Sequence, residues 1–310
     1  MLNKFMHIAS VLLGITVISF VLANISAVDP AEAYARRQYK GAGEERIEEI
    51  RQKLGFDQSV PKQYISWLKR AVRLDFGESY ITHKPVMKEI ASALPETLKI
   101  AIPAAAMILL FAVPLGVLAA AKENKLADSL VSGIAFLSLA TPGYFLGLLC
   151  LLLFGLQLKF FPVIGHGHPL SMMFAAFVLA FPMIGSLSKM LRTLILEYRQ
   201  SDFVIYALAR GISPRNIMWR HLLRNAAPPC ITMFGQHTGY LIAGTAVVET
   251  IFSCAGLGTY ALNAALNRDF PVITAYIFLM AVFFVLCNLS ADIAGMLLNP
   301  KSRQAQESRI

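Results

Sequence analysis

The amino-acid sequence predicts an all-α polytopic membrane protein with six transmembrane helices and an extracytoplasmic helical insertion between the first two. Three observations carry this. Of 310 residues, 56% are hydrophobic and 15% charged, against roughly 25% charged in soluble domains. The apolar residues gather into runs of roughly 20, the length that crosses a hydrocarbon core of ~30 Å at 1.5 Å per residue. Basic residues collect around one loop: Lys189, Arg192, Arg199, Arg210, Arg215, Arg220 and Arg224, as the positive-inside bias predicts for a cytoplasmic segment. The net charge of +9 therefore belongs to cytoplasmic loops and does not point to nucleic acid.

The first apolar run, about His7 to Val28, is uncharged and reads as an uncleaved span with Lys4 inside. It is longer than a signal-peptide core, and no small-x-small cleavage site follows it. Asp29-Pro30 marks its exit, and residues 29–94 read as an extracytoplasmic helical subdomain. There, Glu44 to Leu54 forms a charged helix ended by Gly55. Pro61 opens another, on which Tyr64, Leu68, Ala71 and Val72 share a face. The second span runs from about Pro95 to Ala121, its Pro103 and Pro114 tolerated where neighbouring helices satisfy the freed carbonyls. Lys122 to Asp128 is a short inner loop. The third span is Ser129 to Gln157, kinked at Thr141-Pro142-Gly143. An outer loop, Leu158 to Pro169, contains Gly165-His166-Gly167-His168. The fourth span is Leu170 to Leu191, interrupted by Pro182, and the fifth and sixth are Ile231 to Phe252 and Val272 to Leu298. Six spans leave both termini cytoplasmic, where Lys301, Arg303 and Arg309 follow the charge rule. One membrane domain, residues 1–310, covers the chain without internal repeats.

Between the fourth and fifth spans lies the most informative stretch, Asp202 to Pro229. Its first part forms a helix that stops at Gly211, a residue free to adopt the left-handed conformation. Ser213 suits an N-cap and Pro214 the first helical position. The second helix then runs to about Asn225, before Pro228 and Pro229 stop it. Residues 202–225 thus form a helix-turn-helix at the membrane surface, with Phe203, Tyr206, Ala207, Ile217, Trp219 and Leu222 available for burial. Ala207 and Gly211 lie four apart on one face, where small side chains let another protein approach.

No phosphate-binding Gly-x-x-x-x-Gly-Lys-Ser/Thr run occurs, so ATP and Mg²⁺ chemistry would belong to another subunit. Neither a His-Glu-x-x-His helix nor a Gly-x-Ser-x-Gly elbow is present, which argues against a membrane-embedded hydrolase. Cys150, Cys230, Cys254 and Cys287 lack C-x-x-C spacing and read as free thiols. Ionisable groups at membrane depth face a bundle interior or a water path, which singles out His237 and Glu249. His237 either packs between helices or lines a pathway. Glu249, three residues from the outer end of its span, is expected to meet headgroups or water unless it lines that pathway. Asn288 and Asp292, four apart on one face, suit interhelical hydrogen bonds. His166 and His168 read as part of a solvated loop, since two imidazoles alone make a weak metal site.

Tyr206, Ala207, Ala209, Gly211, Ile212 and Ser213, followed by Arg220-His221, Leu223-Arg224-Asn225-Ala226 and Pro229, resemble the cytoplasmic loop of ABC importer permeases of the dipeptide, oligopeptide and nickel family. Further matches are LGFDQSVPKQYISWL, LDFGESY and Pro85-Val86 in the external segment, then GTAVVETIFSCAGLG at Gly244 to Gly258, and Asn267-Arg268-Asp269-Phe270-Pro271. Cys254-Ala255 and Asn299-Pro300 depart from the family's Trp-Pro and Asp-Pro. His237 within FGQHTGYLIAG, Cys287-Asn288, and Asp29-Pro30-Ala31 with Tyr34 are closest to the nickel-type branch.

The resemblance implies a non-enzymatic permease subunit of the bacterial inner membrane, importing nickel, a nickel or other metal chelate, or di- and oligopeptides. Its implied partners are a second homologous permease, two cytoplasmic ATPase subunits that carry the ATP, an extracytoplasmic substrate-binding protein and the lipid bilayer. Tyr206, Ala207, Arg210, Gly211, Ile212 and Ser213 would form the surface coupled to the ATPase. A stand-alone secondary transporter or channel is the competing class. It predicts half-helices or charged pairs at the midplane, which the sequence does not display.

Overall fold

The computed structural model describes residues 43–163 and 167–298 and, ahead of them, 6, 10, 12–18, 20, 21, 31, 32, 34, 35 and 39. The expected first span is thus described only in part, and His166, Lys301, Arg303 and Arg309 lie outside the described residues. Among the described residues the chain is helical, with one isolated bridge between Glu78 and Pro85. Two compact units divide it: Met1–Pro95 with Gly256–Phe283, and Glu96–Ala255 with Phe284–Ile310.

In the first unit, α1 (Glu44–Leu54) ends as expected at Gly55, whose φ of 73° favours a residue without a β-carbon. Helix α2 (Val60–Ala71) has Pro61 in its first turn. Its buried stripe is Trp67 and Ala71, with Tyr64 and Leu68 half-buried, whereas Val72 caps the helix and faces outward. Tyr64, Leu68 and Ala71 thus share the inward face as expected, and Trp67 rather than Val72 completes it. Around it pack Phe20, Phe76, Val86 and Ile90, the start of α3 (Val86–Ala121). Leu257 from α11 (Leu257–Leu266) and Val272 from α12 (Phe270–Leu298) complete the cluster.

The Asn267-Arg268-Asp269 stretch has a physical role here. Asp269, 1% exposed, accepts from Ser79 Oγ at 2.5 Å and from the Tyr80 backbone N–H at 3.1 Å. Burial, then the Asp269 charge, pushes the Tyr80 phenol well above its ordinary value, so that it stays neutral.

Three described helices are long and apolar enough to cross a membrane: α3, α6 (Pro169–Arg199) and α12. A further pair, α4 (Leu126–Ala140) and α5 (Gly143–Cys150) with the π-helix Leu151–Gln157, bends by 101° at the Thr141-Pro142 break. What the sequence presents as a kink is thus a corner. Thr141 and Pro142 are both extended, so no helical hydrogen bond bridges them. Where a single fifth span was expected, α9 (Leu223–Ala243) and α10 (Thr245–Ile251) meet at Gly244.

The second unit packs Ile100, Ala104, Ile108 and Ala112 of α3 against Ala175, Ala176, Val178 and Leu179 of α6. Small residues set the approach of its helices. A β-carbon on Gly185 of α6 would collide with Ser138 and with the backbone of Ala135 on α4. One on Gly235 of α9 would collide with Ala291, and one on Gly239 with Phe284, both on α12. This is how helices associate in lipid, where burial of apolar surface supplies little drive and close van der Waals contact must.

Candidate functional site

The loop after α6 folds largely as its residues dictate. Helix α7 (Asp202–Ala209) ends in a Schellman motif, with Gly211 N–H bonded to Leu208 O at 2.9 Å and Ile212 N–H to Ala207 O at 3.1 Å. Gly211 has a φ of +76°. Ser213 accepts from Asn216 N–H at 3.4 Å, and Pro214 opens α8 (Pro214–Ile217). The expected stop at Asn225 does not occur. A π-helical segment, Met218–Leu222, leads directly into α9, which passes through Pro228 and Pro229. The carbonyls left without a helical donor are those of Arg224 and Asn225, a loss that neighbouring helices can make good in a membrane; the Asn225 side chain itself turns back, Nδ2 donating to His221 O at 2.7 Å.

Val204 and Ala207 of α7, Ile217 of α8, Leu222 and Ala226 form a buried cluster with Leu191 and Ile195 of α6 and Ala120 of α3. Of the six residues available for burial, Ala207, Ile217 and Leu222 are buried within the chain. Phe203, Tyr206 and Trp219 instead face outward, Tyr206 being 66% and Trp219 55% exposed. A helix as short and apolar as α7 can hide only one stripe. Ala207 accordingly packs inward, while Gly211 has open space around it, so the two small residues do not form one approach surface. Arg210 lies over the Tyr206 ring at 5.7 Å, Ile212 is half-buried and Ser213 is exposed.

Beside this loop, Arg192 of the basic cluster meets Asp128, the last residue of the expected inner loop, in a pairing the sequence does not reveal. Arg192 of α6 forks onto Asp128 of α4, Nε to Oδ1 at 2.6 Å and a terminal nitrogen to Oδ2 at 2.7 Å. Asp128 is 4% exposed and also accepts from the Asn124 backbone N–H at 3.0 Å. The Arg192 side chain is 26% exposed, so the cost falls mainly on the carboxylate: removing the guanidinium leaves Asp128 largely out of water without its main partner. Arg199 reaches Glu123 at 3.2 Å on the surface.

His237 on α9 is half-buried, its Nε2 3.1 Å from Ser186 Oγ on α6. Glu249 is fully buried, which corrects the expected exposure; Thr97 of α3 donates to its Oε1 at 2.6 Å. Thr97 lies 152 positions away, and a single sequence carries no signal of that pairing. Asn288 turns back to Phe284 O of its own helix at 2.9 Å rather than bridging to another. His168 is the N-cap residue of α6. All four cysteines are free, and the described residues contain no group of three metal-ligating side chains.

Comparison with known proteins bears on this arrangement. Residues 112–304 match the family model described as binding-protein-dependent transport system inner membrane component, and residues 1–101 match that system's N-terminal membrane component. The metal-staphylopine import system permease protein CntB of Staphylococcus aureus is 33% identical over 291 residues, covering 94% of this chain and 93% of that one. The glutathione transport system permease protein GsiC of Escherichia coli K12 is 30% identical over 302 residues, 97% of this chain and 98% of that protein.

Proposed function

The chain belongs to the family of binding-protein-dependent transport system inner membrane components, and from that membership we propose that its 202–225 loop is the element through which an ATPase drives it. It is a permease subunit of an ABC importer, not an enzyme, and works with ATPase and substrate-binding partners. The outward face of Phe203, Tyr206 and Trp219 carries the proposal. Aromatic groups exposed on a basic, structured loop suit a protein groove, and Arg210, Gly211, Ile212 and Ser213 complete the surface.

In this reading a second homologous permease forms the other half of the pathway, and two ATPase subunits bind below. Six spans place both termini and the loop in the cytoplasm and residues 29–94 outside, where the substrate-binding protein docks. ATP draws the ATPases together, the loop follows, and the pathway turns from inward-facing to outward-facing. The work comes from the differential affinity of ATP for the two states.

For the cargo we favour a metal chelate, nickel among the metals. The similarity to a metal-staphylopine permease over nearly the whole chain supports this. A short peptide is the second reading, favoured by the similarity to a glutathione permease. Uptake of radiolabelled nickel, with and without chelator, beside a labelled dipeptide separates them in cells lacking other importers. Chelate-dependent nickel uptake is expected. Peptide uptake alone would reject the metal assignment and keep the importer.

A further inference from the structure

We infer that Asp128 and Arg192 are positioning residues: their forked ion pair makes the start of α4 move as one body with the end of α6, and therefore with the 202–225 loop. The inference rests on the coupling role given to that loop above.

The buried residues of α4 are Asp128, Val131, Ala135 and Ser138, one stripe at intervals of three and four. At the far end of that stripe Gly185 of α6 admits Ser138 and Ala135 at close range. At the near end an aspartate stands where an apolar side chain would complete the stripe. The apolar cluster that holds the loop draws on α3, α6, α7, α8 and α9, and among the described residues it includes nothing from α4. Leu126 and Leu130, on the first turns of α4, are exposed. The carboxylate–guanidinium fork therefore adds a directional polar tie, at the first turn of α4, to the close packing of α4 on the helix that enters the loop.

Apolar contact would stabilise such a junction without desolvating two charges. A fork adds something apolar contact lacks. Two parallel N–H···O bonds have one geometry, so sliding or rotating α4 against α6 breaks them. The same carboxylate accepts from the backbone N–H of Asn124, which stands at a φ of 58° in the left-handed region that asparagine adopts, and so fixes the turn leading into α4. Glu123, in the turn before α4, adds a surface link to Arg199 two helical turns further along α6. Opening the fork would leave the Asp128 carboxylate, 4% exposed, without its guanidinium, so the pair stays closed through the cycle and acts as a rigid joint.

The test replaces both partners with apolar residues. In lipid, with its ATPase partners, Asp128→Leu/Arg192→Leu should unfold near the parent's temperature and still hydrolyse ATP. Uptake per ATP hydrolysed should fall about tenfold. Arg192→Lys, which keeps the charge and loses the fork, should fall similarly. Normal uptake per ATP in either folded variant would overturn the inference and leave the pair a structural one. A second measurement places spin labels at Leu126→Cys and Ile205→Cys in a background without native cysteines. The distance between them should be narrowly distributed with the fork and broad in the double leucine variant. Unchanged width would also overturn the joint. If the parent shows no ATP-driven uptake, the importer reading fails on its own, while the label distances still decide the joint.

Discussion

Gly211 stands at a φ of +76° with nothing within 4 Å of where a β-carbon would be. Space is therefore not its constraint; conformation is. A β-branched residue there should cost roughly 1–2 kcal/mol through contact with its own backbone, whereas asparagine, which visits the left-handed region, should cost little. Gly211→Val is expected to reach the membrane folded, bind less ATPase on co-purification and support little uptake. Gly211→Asn should behave nearly as the parent. Equal behaviour of the two would remove the turn from the coupling proposal. His237 poses a different question, because its ring pairs with Ser186. If that pair borders the pathway, His237→Ala should lower metal uptake several-fold while assembly, basal ATP hydrolysis and unfolding temperature stay near the parent's. A loss of uptake that tracks a loss of stability would make it a packing histidine.

Helix contacts within the second unit depend on missing side chains. Gly185 faces both Ser138 and the Ala135 backbone, and backbone cannot step aside as a flexible side chain can. Gly185→Val should destabilise by about 1–3 kcal/mol or more, read as a lowered unfolding temperature in mild detergent. Adding Ser138→Ala should recover only part of it, since Ala135 still stands in the way. Full recovery would mean that the hydroxyl alone sets the approach.

None of this pairing is legible in the sequence. Gly185 looks like any glycine in a span, and Asp128 and Arg192, 64 positions apart, look like two unrelated charges. By contrast, local chemistry was enough for the ends of α1 and α7. Gly55, Gly211 and the Ser213-Pro214 pair act through neighbours within a few residues. Pro228 and Pro229 misled because the rule applied to them assumes water-exposed helices. Within a membrane, neighbouring helices can meet the carbonyls that prolines free, and α9 runs on through both. Glu249 misled for a related reason, since distance from the end of a helix does not reveal what packs over it.

At the scale of the whole molecule, the corner between α4 and α5 decides more than local shape. The segment bends by 101°, which suits either a broken span or a re-entrant loop. The two differ in parity. If α3, the bent pair and α6 each cross the membrane, residues before α3 and residues after α6 lie on opposite sides. If the bent pair enters and leaves by the same face, only two crossings remain and those residues share a side. Glu45 on α1, Leu158 after the π-helix and Asn216 on α8 are all exposed, so a cysteine at each reports its own side. In a background without native cysteines, Glu45→Cys and Leu158→Cys should react with a membrane-impermeant maleimide in intact cells. Asn216→Cys should react only after permeabilisation. That pattern requires three crossings and a cytoplasmic loop, as the basic residues Arg210, Arg215, Arg220 and Arg224 favour. Labelling of Asn216→Cys from outside together with protection of Leu158→Cys would make the bent pair re-entrant. The 202–225 loop would then lie on the wrong side of the membrane for an ATPase, and its coupling role would fall with the six-span topology.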